Sequence, residues 1–196
     1  MPTRDERAAE TRRDLVRVAR ELFAERGYAA VGTEQIVARA GMTRGALYHH
    51  FGDKRELFRA VHEQLEGQLV ESIGAMTTDL ADPVELIEAG VRAFLDACTD
   101  RQWARIALLE APTVLGWAAW REIDERYGLG LVSAALVRAM DAGVLKRQEV
   151  RPLAHIMIGA LGEAALLVAN ADDPRAARAE VEPVLMSLIH GLRTAV

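Results

Sequence analysis

The chain has 196 residues, a formal net charge of −5, and is 51% hydrophobic but only 5% aromatic. That length suits one ordinary domain or two small ones sharing a boundary, and the Ala- and Leu-rich, aromatic-poor composition favours helices over sheet. A single cysteine, Cys98, excludes an intrachain disulfide and reads as a small buried hydrophobe.

Residues 5–26 form the first predicted helix, with Leu15, Val18, Ala19, Leu22 and Phe23 as its apolar stripe and Gly27 as its stop. Thr33 is placed as the cap of a short helix reaching about Ala40. Gly41 permits a turn, and Thr43 caps a third helix ending near His50. Asp53 and Glu56 have capping-box spacing, so a fourth helix starts at Lys54. At ~25 residues it would span roughly 37 Å.

Asp82-Pro83-Val84-Glu85 opens the next helix with a cap and a proline at its first position. Helices at 101–111 and 114–142 follow, separated near Pro112, with a further break expected near Gly128 and Gly130. Pro152 opens a helix to about Asn170. Asp173-Pro174 opens the last, with a restart expected near Pro183. No strand, repeat or Gly/Ser linker stands out, and about nine helices in an all-α fold are expected. The predicted division is 1–53 and 54–196, with the fourth helix shared at the boundary.

Charge is divided unevenly. Residues 1–60 hold twelve Lys/Arg against nine Asp/Glu, which leaves twelve against twenty in the remainder. An acidic body can present a basic head to DNA without coating it nonspecifically. The segment TEQIVARAGMTRGALYHHFGDK has helix-turn-helix spacing. Ile36, Val37, Ala40, Leu47 and Phe51 supply its inner face, leaving Arg44, Gly45, Tyr48 and His49 outside. Arg44 has the fork that matches guanine O6/N7, and Gly45 permits close approach. Tyr48 offers a hydroxyl and a ring, and His49 and His50 are further donors. Lys54, in a helix first turn, is the expected phosphate contact.

The run GYAAVGTEQIVARAGMTRGALYHHFGDKRELF resembles the DNA-binding head of the TetR family of bacterial repressors, over about residues 10–60. By that resemblance Thr33, Thr43, Arg44, Tyr48, His50 and Lys54 fall on motif positions that commonly touch DNA. Val37 departs from the pattern, where the family usually has Ala. The resemblance further implies a homodimer on a palindromic double-stranded operator and a small-molecule sensor pocket in the body.

The last two predicted helices carry apolar stripes. One contains Leu153, Ile156, Met157, Ala160, Leu161, Ala164 and Val168; the other contains Val184, Leu185, Leu188, Ile189 and Leu192. Such stripes serve either an internal hairpin or half of a four-helix dimer interface, and the resemblance favours the dimer. All three tryptophans lie close together in sequence. Trp103, Trp117 and Trp120, with Phe94, Leu108 and Met157, can line an apolar effector cavity or simply fill the core. Arg105 or Glu163 would orient a polar group there.

No HExxH, CxxC, GxSxG or phosphate loop occurs, and no His follows a Glu by three residues. No enzyme activity, metal or cofactor is therefore expected. No charged leader with a cleavage site opens the chain. No uninterrupted apolar run reaches the ~18 residues of a membrane span, because IMIGALGEAALLVA contains Glu163. A cytoplasmic protein without membrane association is expected. The reading is a sequence-specific regulator, a repressor released by an apolar or aromatic ligand. Its rivals are a ligand-independent architectural DNA-binding protein and a helical-bundle enzyme with a vestigial head.

Overall fold

The computed structural model describes residues 3–194. Nine helices account for almost all of the described chain. The first five are α1 (Arg4–Arg26), α2 (Thr33–Ala40), α3 (Arg44–His50), α4 (Lys54–Thr77) and α5 (Pro83–Cys98). Next comes α6 over 101–115, whose middle, Arg105–Glu110, is π-helical. Then α7 runs over 117–141 with a π-helical segment at Glu125–Leu129, followed by α8 (Val150–Asn170) and α9 (Pro174–Gly191). The sole extended pairing among the described residues is a single bridge between Leu145 and Arg193.

Caps set most of the starts. Thr3 and Glu6 form a reciprocal capping box at α1. Thr43 accepts from the Ala46 N–H, Asp53 from Glu56, Asp82 from Val84, and Asp173 from Arg175 and Ala176. Thr33 differs from expectation. It is the first helical residue rather than the cap; Gly32 holds the cap position, and the Gln35 side chain accepts from its N–H at 2.9 Å.

Three expected breaks are absent. The π-turn ahead of Pro112 widens the helix where an α-turn would drive the proline ring into the carbonyl four residues back. Helix α6 therefore continues through Pro112 and stops at Gly116, at φ +79°. The second π-turn likewise carries α7 across Gly128 and Gly130 without interruption. Helix α9 runs straight through Pro183.

The core is continuous from head to body. In the head, Leu15, Phe23, Ile36 and Leu47 are fully buried, as expected of a helix-turn-helix clamped on α1. Val37 also fits inside, with Phe51 beside it. Phe23, Tyr28 and Phe58 make a three-ring cluster with centroids 5.2–5.6 Å apart. It ties α1 and its following loop to α4. Helix α4 packs on α1 and on α5, and α8 packs on α5, α7 and α9.

Helix α8 corrects the membrane-length expectation. By length and composition, with a mean hydropathy of 1.7 in its most apolar window, it is long and apolar enough to cross a membrane. Only 39% of that window is buried in the subunit, so much of its apolar surface faces outward.

Phe58 sits at 0% exposure where the head core meets α4. Phe58→Ala should lower unfolding free energy by about 3–5 kcal/mol, read as a fall in the urea midpoint with an unchanged slope.

Candidate nucleic-acid interface and cavity

Helix α3 is held from behind by Leu47 and presents Thr43, Arg44, Gly45, Tyr48 and His49 to solvent. Arg44 extends but is paired with Glu34 at 3.0 Å. An exposed pair of this kind contributes about 0–1 kcal/mol, so it yields readily to a better acceptor. Hydrogen bonds from Thr33 and Arg44 hold the Tyr48 phenol below its ordinary pKa, which joins α2 and α3 on one polar surface. A Cβ on Gly45 would meet only Thr43 Oγ1, at 3.8 Å, so the space beside it is open. His50 is half-buried, and burial, then His49 and Arg12, lowers its pKa. At neutral pH it offers one neutral donor.

Lys54 is not the free cation that its position suggested. Its Nζ donates to the Tyr28 and Val31 carbonyls, both at 2.9 Å, and lies 3.9 Å from the Tyr28 ring centroid. Burial lowers its pKa. The ammonium locks the 28–31 loop onto α4, while the N-terminal amides of α4 keep their anion-attracting orientation.

The head is joined to the body by polar contacts from α6. Arg105 donates to the Ala24 and Glu25 carbonyls at 3.0 and 3.2 Å. The Glu110 carboxylate accepts from the Tyr28 N–H at 2.9 Å. In return, Arg55 of α4 donates to Val114 and Leu115 at the end of α6. Arg105 therefore serves the joint, not the cavity as expected. Residues five apart on an α-helix lie about 140° apart in projection. The π-turn brings Arg105 and Glu110 to one side, and ordinary 3.6-residue periodicity gave no hint of this. Ala107 and Leu108 of the same turn line a cavity.

That cavity, about 510 Å³, lies between α4, α5, α6, α7 and α8. Phe94, Trp103, Leu108, Trp117, Trp120 and Met157 all line it. Phe94 and Trp103 meet edge to face at 6.5 Å, and Trp117 and Trp120 lie 4.9 Å apart. Trp117 is 67% exposed. Glu163 also reaches the wall. His62, Glu66, Arg121 and Asp124 are polar wall residues that sequence reading missed. His62 and Glu66 sit one turn apart on an apolar stretch of α4, a spacing that by itself is ordinary.

The stripes on α8 and α9 divide into two faces. Leu153, Met157, Leu161, Ala164, Val168, Leu185 and Ile189 are buried within their own subunit, and Leu192 packs partly against the core. These positions are corrected from interface to internal packing. Both helices are apolar on two sides, so one broad stripe hid two narrower ones. Ile156, Val184 and Leu188 remain 68%, 62% and 51% exposed. Ala160 is half-buried between the two faces, and Leu167 joins the exposed group.

A helix-turn-helix head on a cavity-bearing helical body defines a class of DNA-binding transcriptional regulators. Residues 15–61 match the family model described as "Bacterial regulatory proteins, tetR family", and residues 84–192 match "Tetracyclin repressor-like, C-terminal domain". The transposon Tn10 TetC protein of Escherichia coli is 30% identical over 149 residues, 76% of this chain and 75% of that protein. The transcriptional activator FasR of Mycolicibacterium smegmatis is 38% identical over 47% of this chain and 41% of its own. A TetR-family regulator from Pectobacterium atrosepticum has a crystal structure that superposes with a TM-score of 0.86. It is 34% identical, with 99% of each chain covered. The chain belongs to the TetR family of transcriptional regulators, and is a regulator rather than an enzyme.

Lys54→Met separates a structural tether from a phosphate contact. It should cost about 1–2 kcal/mol of stability by orphaning two carbonyls, while the salt dependence of DNA binding stays as in wild type. A salt slope reduced by about one would instead identify Lys54 as a phosphate ligand.

Proposed function

We propose that this chain is a homodimeric, ligand-responsive repressor. Residues 1–53 form the reading head, and residues 54–196 form the sensing and dimerisation unit, with α4 common to both. Thr33, Thr43, Arg44, Gly45, Tyr48, His49 and His50 approach DNA, with Arg44 exchanging Glu34 for a guanine edge. Lys54 contributes through the amides of its helix start. Two heads related by a two-fold axis read half-sites of a palindrome in successive major grooves. Activity in the cytoplasm follows from a DNA partner there.

The observation that carries the reading is the double role of the Arg105–Glu110 turn. Leu108 and Ala107 of this turn face the cavity, while Arg105 and Glu110 hold the head. A ligand that displaces Leu108 works against the Tyr28 and α1 contacts a few residues away. It changes operator affinity by the difference in its own affinity for the two head positions, typically about 1–3 kcal/mol. An architectural protein has no use for such a cavity.

Dimerisation is supported by the outer face of α8 and α9. Ile156 and Leu167 of α8, eleven residues apart and so on one face, and Val184 and Leu188 of α9, four apart, leave large aliphatic side chains exposed on both helices. Leu188→Glu should convert the protein to a monomer in sedimentation velocity, with the helical circular dichroism kept. A dimer that survives this change would refute the assigned face.

Selection of bound DNA from a random pool gives the operator. On that operator, Arg44→Ala should weaken binding and relax preference at one base pair, by about 1–3 kcal/mol. Uniform weakening at every position would show that Arg44 holds backbone, not base. Promoter fusions with and without the gene test repression directly.

A further inference from the structure

One corner of the cavity is not explained by its aromatic walls. His62 is 1% exposed and lines the cavity, and neither Nδ1 nor Nε2 has a hydrogen-bond partner. Glu66, one turn further along α4, approaches Nδ1 only to 3.8 Å, too long for a hydrogen bond. Leaving a buried polar group unpaired costs about 1–3 kcal/mol. Here both ring nitrogens of one side chain are left so, with a carboxylate one turn away, at the edge of an empty space.

The surrounding charges restrict what can satisfy them. Helix α7 contributes Asp124 and Arg121, and α5 contributes the neutral Cys98 thiol, which burial and then Glu66 push up to about 12. Tyr127 of α7 lies against Gly67, next along α4 from Glu66, and His155 of α8 meets Arg121. Arg121 is already engaged: Asp124 at 3.0 Å, Glu125 at 3.4 Å and His155 Nδ1 at 3.3 Å. Glu163 reaches the wall but is exposed to solvent. Among the described residues, Glu66 is thus the inward-facing acid without a counter-ion.

We infer that the cavity takes a lipophilic organic cation, a protonated amine on an aromatic or aliphatic body, its N–H groups donating to the Glu66 carboxylate and to a ring nitrogen of His62. The inference rests on the reading of the cavity as the effector site. Phe94, Trp103 and Trp120 line the same cavity, and aromatic rings attract such a cation. A carboxylate ligand meets Glu66 and Asp124 as like charges. A neutral alcohol satisfies His62 but leaves an ionised Glu66 without a partner.

Protonation states fit this choice. Burial holds His62 down to about 4, so its imidazole is neutral and keeps a lone pair. Burial, then Asp124, raises Glu66 to about 7, so the carboxyl is poised at neutral pH. A bound cation favours the carboxylate and expels the proton. Affinity therefore rises with pH up to about 7 and levels off above it.

The test is calorimetric titration of the full chain with three naphthalenes of matched shape: 1-naphthylmethylammonium, 1-naphthylmethanol and 1-naphthoate. The ammonium should bind tightest, by about tenfold over the alcohol at pH near 7.5, and the carboxylate weakest. Ammonium affinity should climb about tenfold per unit between roughly pH 5 and 6.5. Glu66→Gln should erase both the charge preference and the pH dependence. Equal affinities for ammonium and alcohol, a flat wild-type pH profile, or a preference that survives in Glu66→Gln overturns the inference and leaves the effector site standing. Failure of all three compounds to bind overturns the effector-site reading and this inference with it.

Discussion

The hydrogen bond from the Tyr28 N–H to Glu110 is the contact on which the relation between head and body depends. It exists because Gly27 ends α1 at φ +82°, a backbone state that side chains with a Cβ rarely adopt. The same glycine leaves room for the acid, since a Cβ there would stand 2.6 Å from Glu110 Oε1. Around this point gather the three-ring cluster, the Lys54 ammonium and the Arg105 fork. The loop that follows α1 is thereby fixed from both sides. The helix-turn-helix that it introduces inherits its orientation from the body.

Away from that joint the chain leaves interactions unmade in three places. The reading surface of α3 is polar and open, with Arg44 held only by a weak exposed pair. The outer face of α8 and α9 keeps large aliphatic side chains in water. The cavity leaves His62 unpaired. Each omission lowers the stability of the isolated subunit, and each suits contact with something outside it. The rest of the core is conventionally filled, with Leu95, Ile106, Ile123 and Ile189 essentially inaccessible.

Much of this could be read from local chemistry. Caps at Thr43, Asp53, Asp82 and Asp173 marked helix starts because a short polar side chain next to orphan amides has few other uses. The inner residues of the head followed from spacing. The six aromatic and aliphatic residues expected near a cavity do line one. What failed were inferences requiring a partner remote in sequence. Lys54 looked free because Tyr28 and Val31 are more than twenty positions away. Leu185 and Ile189 looked like interface because a helix apolar on two sides does not announce which side is internal. His62 and Glu66 gave no signal, since their meaning comes from what α5 and α7 fail to offer them.

The π-turn in α6 also bears on how such a chain can vary over time. A π-turn is an α-helix carrying one surplus residue. Substitutions of the wall residue Leu108 can be absorbed without changing the path of the helix. Removing a single residue would leave Arg105 and Glu110 four apart and still on one side, but it would restore an α-turn ahead of Pro112 and drive its ring into the carbonyl four residues back. The segment is thus tolerant of spelling and intolerant of length. Drift in ligand preference can proceed by exchange of wall residues, while insertions and deletions are confined to the loops that the joint does not use.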